Sequence, residues 1–143
     1  MQINAAGEAL PDGITALRAE ARREGYRFLE CLAADWTAGV VRFDHPGEVL
    51  LTASVAGVLV SIGGLTLDPA VPGALRMRRF YVHPAFRRQG IGRILAIALL
   101  EQPGTAGRSV TVNAGTAQAP AFWEALGFVA DRCCGHTPLR PPR

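Results

Sequence analysis

The apolar pattern between residues 75 and 112 changes its period twice, which predicts a strand, a helix and a second strand. Leu75–Val82 has the composition of a strand. The helix that follows has apolar residues at the i, i+3, i+4, i+7 and i+8 positions, namely Ile91, Ile94, Leu95, Ala98 and Leu99. Ser109–Asn113 is short and β-branched, so a further strand is predicted there. A helical crossover of this kind joins parallel strands and is right-handed in nearly all cases.

The residues before this unit predict two helices. Asp12 can cap a first helix that runs from Ile14 through Ala21, and Gly25 is expected to interrupt it. The second helix ends at Gly39. Its single apolar face is formed by Leu29, Leu32, Ala33 and Trp36.

A hairpin is predicted between these helices and the parallel unit. Val49–Val55 and Val58–Leu67 are its strands, and Ala56-Gly57 is a plausible tight turn. Gly63-Gly64 in the second strand indicates a bulge or a close backbone approach.

The C-terminal part predicts a short helix over Pro120–Leu126 and small closing strands at Phe128–Ala130 and His136–Leu139. The expected fold class is α/β (α+β). Its central sheet is mixed and mostly antiparallel, with one parallel strand–helix–strand unit and flanking helices.

Length and composition favour a single domain over residues 1–143, with a short disordered tail from about residue 138. Hydrophobic residues make up 49% of the chain and charged residues 19%, which excludes a disordered chain. No apolar run approaches the roughly 20 residues that cross a bilayer. The first ten residues carry no positive side chain, unlike a secretory signal. We therefore expect a cytoplasmic protein with no membrane partner, and reduced thiols at Cys31, Cys133 and Cys134.

Basic residues cluster in one part of the sequence. All 15 are Arg, and no acidic residue lies between Asp68 and Glu101. That interval holds Arg76, Arg78, Arg79, Arg87, Arg88 and Arg93. A polyanionic ligand and a solvated basic face both fit this cluster. Nucleic acid is not expected, since the arginines come with neither interleaved aromatic residues nor a recognised motif.

The segment that joins the Leu75–Val82 strand to the next helix predicts a phosphate site. Pro84 stops the strand because it has no N–H, and Gly90 and Gly92 allow a tight turn at the start of the helix. Unpaired N–H groups at a helix N-terminus favour phosphate, and Arg87, Arg88 and Arg93 can add charge-assisted hydrogen bonds. A Walker loop is excluded because Arg-Ile follows the last glycine, and a Rossmann turn because only two glycines are present.

At this point the sequence resembles a family. Val82-His83-Pro84, then Arg87-x-x-Gly90-x-Gly92, is similar to the acetyl-CoA motif of the GCN5-related N-acetyltransferases (GNAT). Downstream, Ala119-x-x-Phe122-Trp123-Glu124-x-Leu126-Gly127-Phe128 resembles the family's second block. The resemblance covers Leu75 to Phe128; Asp12 to Leu67 agree only in the order of elements.

The resemblance implies acetyl-CoA as cosubstrate, no metal, and an amine acceptor. It places the pantetheine arm against the backbone of Phe80, Tyr81 and Val82, and an N–H near Tyr81 or Val82 on the thioester carbonyl. Asn113 would contact the arm or a bound water, and Trp123 would shape the pocket or orient the sulfur. The diphosphate would lie on the backbone amides of Arg88, Gln89, Gly90, Ile91, Gly92 and Arg93.

Two departures from the family pattern leave the catalytic residues unassigned. Many members have Tyr at the position of Trp123 as the acid for the thiolate, and an indole N–H does not give up its proton. The strand glutamate that serves as base is replaced by Arg76 or Arg78. The substitutes left open are Glu48, Asp68, Tyr81 and a water relay, and unassisted transfer is a further alternative.

Two functions follow from the resemblance. The first is an acetyltransferase that acts on a primary amine of a small molecule or peptide. The alternative is a non-catalytic acyl-CoA-binding or sensing module. The sequence identifies no acceptor and leaves a homodimer open. Cys133-Cys134-x-His136 contains metal-ligand residue types but lacks the usual spacing, so no metal site is expected.

Overall fold

Six strands form one sheet in the computed structural model, which describes residues 1–112, 120–129 and 139–142. The strands lie side by side in chain order: β1 Gln2–Ala5, β2 Val49–Val55, β3 Val58–Leu67, β4 Leu75–Val82, β5 Val110–Val112 and β6 Leu139–Arg140. The first four pair antiparallel, β4 and β5 pair parallel, and β5 and β6 pair antiparallel. The mixed, mostly antiparallel sheet with one parallel pair is therefore confirmed.

Helices cover both faces of this sheet. Their bounds are α1 Ile14–Arg23, α2 Phe28–Ala38, α3 Ile91–Leu100 and α4 Pro120–Ala125. On one face, Leu95 and Leu99 of α3 and Trp123 of α4 share a core with apolar residues of β2, β3, β4 and β5. On the other face, Leu17 of α1 and Leu29 of α2 pack with Ile62, Tyr81 and their neighbours. Burial of two separate apolar faces fixes which side of β4 each of its side chains occupies.

A bulge in β4 sets the direction of the side chains that follow it. Ile62 pairs with Tyr81 and Gly64 pairs with Arg78, so Arg79 and Phe80 together oppose Gly63. Arg79 has a φ of 56°, which only a locally kinked strand accommodates. A Cβ on Gly63 would lie 2.6 Å from Cδ2 of Phe80. The bulge and the close approach indicated by Gly63-Gly64 are both present.

The bulge shifts the alternation of β4 by one residue. Leu75, Met77, Phe80 and Val82 all belong to the core on the α3 side, whereas Tyr81 belongs to the core under α1 and α2. Arg76 and Arg78 lie between these positions and point away from the α3 core. The face of β4 that packs against α2 is thus the face with the arginines.

Several sequence predictions need correction. The strand β1 was not predicted at all; it forms because Gln2–Ala5 pairs with Leu51–Ser54 at the edge of the sheet. Asp12 does not cap α1, since the N-cap is Gly13 with a φ of 89° and no side-chain hydrogen bond. At the C-terminal end, Leu139–Arg140 pairs with β5 as the strand β6, and Nε of Arg140 donates to the carbonyl of Leu126 at 3.0 Å.

The remaining predictions differ only in their bounds or lie outside the described residues. The last helix ends at Ala125 rather than Leu126, and β5 spans Val110–Val112. Asn113 and the Cys133-Cys134-x-His136 segment lie outside the described residues. In the described part of the chain, no helix is long and apolar enough to cross a membrane.

Candidate acyl-CoA site

The loop between β4 and α3 is held by local hydrogen bonds. Nδ1 of His83 accepts from the backbone N–H of Ala85 at 3.0 Å, and Pro84–Phe86 forms a single turn of 3-10 helix. Arg88 and Gly90 then both adopt positive φ angles, of 64° and 81°. Because residues with positive φ turn neighbouring amides toward a common side, this backbone favours an anion-binding concavity.

The amides of residues 88–93 have no hydrogen-bond partner among the described residues. The first helical bond of α3 is donated by Ile94 to the carbonyl of Gly90 at 3.0 Å, so the N–H groups before it stay unpaired. An added Cβ on Gly90 would meet no atom within 4 Å, which leaves open space at this corner. The loop can therefore present several N–H donors to a phosphate, at the positive end of the α3 dipole.

The two glycines of the loop have different roles. Gly90 has a conformational role: its φ of 81° favours glycine, and no neighbouring atom crowds the position. Gly92 allows close packing, because a Cβ there would lie 3.0 Å from Cγ2 of Val82 at the end of β4. The start of α3 is thus pressed against the last residue of β4, and the phosphate loop adjoins the strand edge.

The edge of β4 that faces β5 is paired over its first three residues. In the described ranges, β5 pairs only with Leu75–Met77. On the β3 side, His83 donates to the carbonyl of Val60 at 2.8 Å and the carbonyl of Tyr81 accepts from Ser61 at 2.8 Å. The alternation of an antiparallel pair then turns the N–H groups of Phe80 and Val82 toward the open side, and that of Tyr81 toward β3.

Of the arginines predicted to bind phosphate, Arg87 is engaged elsewhere. Its guanidinium donates to both carboxylate oxygens of Glu24, at 2.8 and 2.6 Å, and its Nε donates to the carbonyl of Val82 at 3.0 Å. The guanidinium carbon also lies 5.4 Å from the centre of the Tyr81 ring. Arg88 and Arg93 form no ion pair in the described part of the chain, so their charges remain available to a ligand.

Glu24, at the C-terminal end of α1, also accepts a short hydrogen bond from the hydroxyl of Tyr81. The guanidinium of Arg87, and after it this hydroxyl, hold the pKa of Glu24 below its usual 4.5 despite partial burial. Burial and the neighbouring carboxylate raise the pKa of Tyr81. Tyr81 is therefore a neutral hydrogen-bond donor at physiological pH and a poor general base.

The other two candidate bases lie at the opposite end of the sheet. The carboxylate of Glu48 accepts from the backbone N–H of Leu67 at 2.9 Å, beside the start of β4. Asp68 accepts from the hydroxyl of Thr111 at 2.6 Å. The phosphate loop follows the other end of β4, seven residues away, which corresponds to roughly 23 Å along a strand. Neither carboxylate shares the site with the loop.

Trp123 lies in the core beside the open strand edge. It is 3% exposed, and its ring centre lies 5.1 Å from that of Phe80 and 5.5 Å from that of Phe128. The ring of Trp123 thus packs against that of Phe80 and supports the strand edge. Of the residues predicted for the site, the structure brings Phe80, Val82, the 88–93 backbone and Trp123 together.

Sequence analysis missed Glu24. The residue lies 57 positions before Tyr81 and carries no motif, so only the folded chain shows that its carboxylate reaches the loop. One exposed group of metal-ligand types, Asp44, His45 and Glu48, also occurs in the described ranges. It is remote from the loop, because Glu48 borders the start of β4.

Comparison with known protein families gives one match. Residues 46–130, more than half of the chain, match the family model described as an acetyltransferase (GNAT) domain. The chain therefore belongs to the GNAT acetyltransferase family. No curated protein sequence matches it.

Solved structures with the same fold are distant in sequence. A candidate acetyltransferase from Exiguobacterium sp. 255-15 aligns with a TM-score of 0.85 at 20% identity, over 98% of this chain and 92% of that chain. The GNAT-family N-acetyltransferase YhbS of Escherichia coli, in complex with CoA, aligns with a TM-score of 0.66 at 16% identity, over 98% and 80%. Ribosomal-protein-alanine N-acetyltransferase from Brucella melitensis gives 0.63 at 21%, over 97% and 96%. At these identities the likeness shows the fold alone.

Proposed function

We propose that the chain transfers an acetyl group from acetyl-CoA to a primary amine of a small molecule or peptide. The observation that carries the proposal is the row of amides over residues 88–93, which have no partner among the described residues and adjoin the edge of β4 beyond Met77. Family membership and the CoA found in a solved relative support it. We also propose that residues 1–143 form one domain and that the protein acts in the cytoplasm.

In this proposal the chain contributes binding and positioning. The amides of residues 88–93, with Arg88 and Arg93, hold the diphosphate, and the backbone of Phe80 and Val82 pairs with the pantetheine arm. One of these two N–H groups polarises the thioester carbonyl. The family resemblance assigns Asn113 to the arm or a bound water.

The transfer itself is written as one displacement. The lone pair of the amine forms the new C–N bond, the C–S bond breaks, and its electron pair leaves on the CoA sulfur. The proton that the amine loses passes to solvent or to the leaving thiolate. Catalysis then consists mainly of holding the amine and the thioester in register, which is a large effect by itself.

A matched pair of glycine variants tests the binding step. Gly90 and Gly107 both have positive φ, 81° and 71°, and an added Cβ meets no atom within 4 Å at either position. Alanine should therefore cost each variant a similar strain, about 1–2 kcal/mol of stability. Only Gly90→Ala should weaken acetyl-CoA binding in calorimetry, by about tenfold, since a loss of about 1.4 kcal/mol gives that factor. Equal affinity of the two variants, or no binding by the parent protein, contradicts the proposal.

One observation favours the alternative, a non-catalytic acyl-CoA-binding module. The position of the expected acid is a buried tryptophan, and the candidate carboxylates, Glu48 and Asp68, lie at the far end of the sheet. Release of free thiol from acetyl-CoA with any amine in a broad panel would exclude this alternative. Binding without thiol release across the panel would support it.

A further inference from the structure

The arginine face of β4 borders a cleft at the end of the sheet where β4 begins. The cleft has a volume of about 300 Å³. Arg76 and Arg78 of β4, Thr66 of β3, Glu48 before β2 and Val41 after α2 contribute to its walls. It therefore lies on the α2 side of the sheet, along the same strand as the predicted thioester position near Phe80.

The described residues balance the positive charge of this cleft only in part. Arg79 pairs with Asp35 at 3.4 Å, but Arg76 and Arg78 form no ion pair with any described residue. Glu48 is the acid of the cleft, and both of its oxygens accept backbone hydrogen bonds, from His45 at 3.3 Å and Leu67 at 2.9 Å. Burial, and then the charges of Arg79 and Arg76, lower the pKa of Arg78 to about 10. Two guanidiniums therefore share a partly buried space with one carboxylate.

Two polar atoms on the walls of the cleft also have no partner. The hydroxyl of Thr66 is buried, in a residue that is 4% exposed, and makes no hydrogen bond with described residues. Nε of Arg76 is likewise buried and unpartnered. Buried polar groups are nearly always hydrogen-bonded, so orphaned donors that line a cleft point to a missing acceptor. A hydroxyl and two guanidiniums are a typical donor set for an oxyanion.

We propose that this cleft binds a carboxylate or phosphate group of the acceptor, so that the substrate is an acidic amine. Arg78 and Arg76 bind the oxyanion, and Thr66 adds a hydrogen bond. The inference rests on the proposed acetyl transfer for the role of the bound molecule, but the anion site itself does not depend on it.

The spacing along β4 suits this assignment. Arg78 precedes Phe80 by two residues and Arg76 precedes it by four. At about 3.3 Å per strand residue these separations are roughly 7 and 13 Å. An amine near the thioester can thus extend its acidic end to the arginines within one small molecule or one peptide residue. A long polycation such as spermidine would place like charge against Arg78, which is unfavourable.

The first experiment compares matched acceptors by release of free thiol from acetyl-CoA. The pairs are ethanolamine with phosphoethanolamine, propylamine with β-alanine, and tyramine with tyrosine; spermidine is the cationic probe. We expect the acidic member to have at least a tenfold higher kcat/KM, chiefly through KM, and the phosphate and carboxylate pairs show which oxyanion is preferred. A preference for the neutral amines or for spermidine overturns the inference while acetyl transfer stands.

Arg78→Gln should remove the preference for the acidic member, so that the two members of each pair have similar kcat/KM. The control is Arg23→Gln, which removes one positive charge from an exposed ion pair on α1. This control should keep the preference. If Arg78→Gln keeps it as well, the cleft does not bind the acid. The comparison of acceptors on the parent protein remains decisive if the variant fails to fold.

The second experiment needs no turnover. The protein, saturated with CoA, is titrated with inorganic phosphate, and the Nε–Hε signals of its arginines are followed by NMR. The signals of Arg76 and Arg78 should shift in the parent protein, and Thr66→Val should weaken the response several-fold. A response here without thiol release from any amine means that the acetyl-transfer proposal fails and the anion site stands. If neither the Arg76 signal nor the Arg78 signal shifts on addition of phosphate, the anion-site proposal is wrong.

Discussion

The Glu24–Tyr81–Arg87 network gives a quantitative prediction about coupling between α1 and the end of β4. Tyr81 is fully buried, and its hydroxyl donates to Glu24. The side chains of Glu24 and Arg87 are 27% and 32% exposed, and their ion pair is at 2.6 Å. Glu24→Ala removes the hydrogen bond from Tyr81 and the ion pair with Arg87. Tyr81→Phe removes only the hydrogen bond.

Glu24→Ala should lower the free energy of unfolding by about 1–4 kcal/mol. Loss of the partly exposed ion pair accounts for about 0.2–1 kcal/mol. The larger share comes from the Tyr81 hydroxyl, which is left buried without an acceptor at a cost of about 1–3 kcal/mol. Water that enters the space left by Glu24 would move this cost toward its lower value. Tyr81→Phe should cost about 1 kcal/mol, since it leaves no orphaned group.

Urea unfolding of the two single variants and the double variant measures the coupling. In the Tyr81→Phe background, Glu24→Ala should cost only the ion pair, so the interaction energy equals the cost of the orphaned hydroxyl, roughly 1–3 kcal/mol. Arg23→Ala serves as the control, because it removes the exposed partner of Glu20 on the same helix. Its cost should stay within about 0.5 kcal/mol and be the same in both backgrounds.

Additivity would refute this reasoning. If Glu24→Ala costs the same in both backgrounds to within about 0.5 kcal/mol, the hydroxyl does not depend on Glu24 for its hydrogen bond. The link between α1 and the loop would then consist of the ion pair alone.

Three further predictions concern stability. Hydrogen bonds from Arg18, and then from Arg22, lower the pKa of Glu30 to about 2, and the pKa of Glu24 is also lowered. Each carboxylate therefore stabilises the folded state above pH 4.5, and this stabilisation is lost as the pH falls toward 2. The free energy of unfolding should therefore fall over this interval, and Glu30→Gln should flatten the fall; a profile that is unchanged by the substitution contradicts this. Gly63→Ala should cost about 1–3 kcal/mol, because its Cβ would overlap the Phe80 ring at 2.6 Å, whereas Gly7→Ala, with nothing within 4 Å, should cost under about 0.5 kcal/mol in the same urea assay. Gly104→Ala should also lower the thermal midpoint, since its Cβ would lie 2.6 Å from the Cα of Gly47 and backbone cannot give way as a side chain does; an unchanged midpoint would show that the loop before β2 can move.

The phosphate loop could be predicted from sequence because its determinants are local. A proline after a strand, two glycines and an apolar helix pattern lie within ten residues of one another. The structure has α3 starting at Ile91 with Gly90 as its N-cap, as that pattern requires. The direction of the Arg87 side chain could not be predicted, because it depends on Glu24, and a partner 63 residues away leaves no trace in the local pattern.

The strand β1 was missed for a related reason. Gln2–Ala5 has no run of β-branched residues, and only one of its four residues is even partly buried. Its strand conformation comes from pairing with the outer edge of β2 rather than from its own composition. Leu139–Arg140 likewise has a strand conformation because it pairs with the edge of β5. Edges that are completed by distant segments are a tertiary effect.

The bulge in β4 could have been located more closely from the sequence than the glycine pair alone allowed. A regular strand would keep Leu75 and Met77 on the same face as Arg79 and Tyr81, which would bury a guanidinium in the α3 core. The apolar residues instead skip from Met77 to Phe80, three positions on, and then resume at Val82. That skip requires one extra residue in the strand. Arg79 is this residue, and its positive φ forms the bulge. The apolar pattern of β4 does not show which residue of β3 lies opposite the bulge. A residue without a side chain is needed opposite Phe80, and the register of β3 and β4 places Gly63 there. The local pattern thus fixes the phase of β4, and with it the face on which Arg76 and Arg78 lie, while the contact that tolerates the bulge comes from β3.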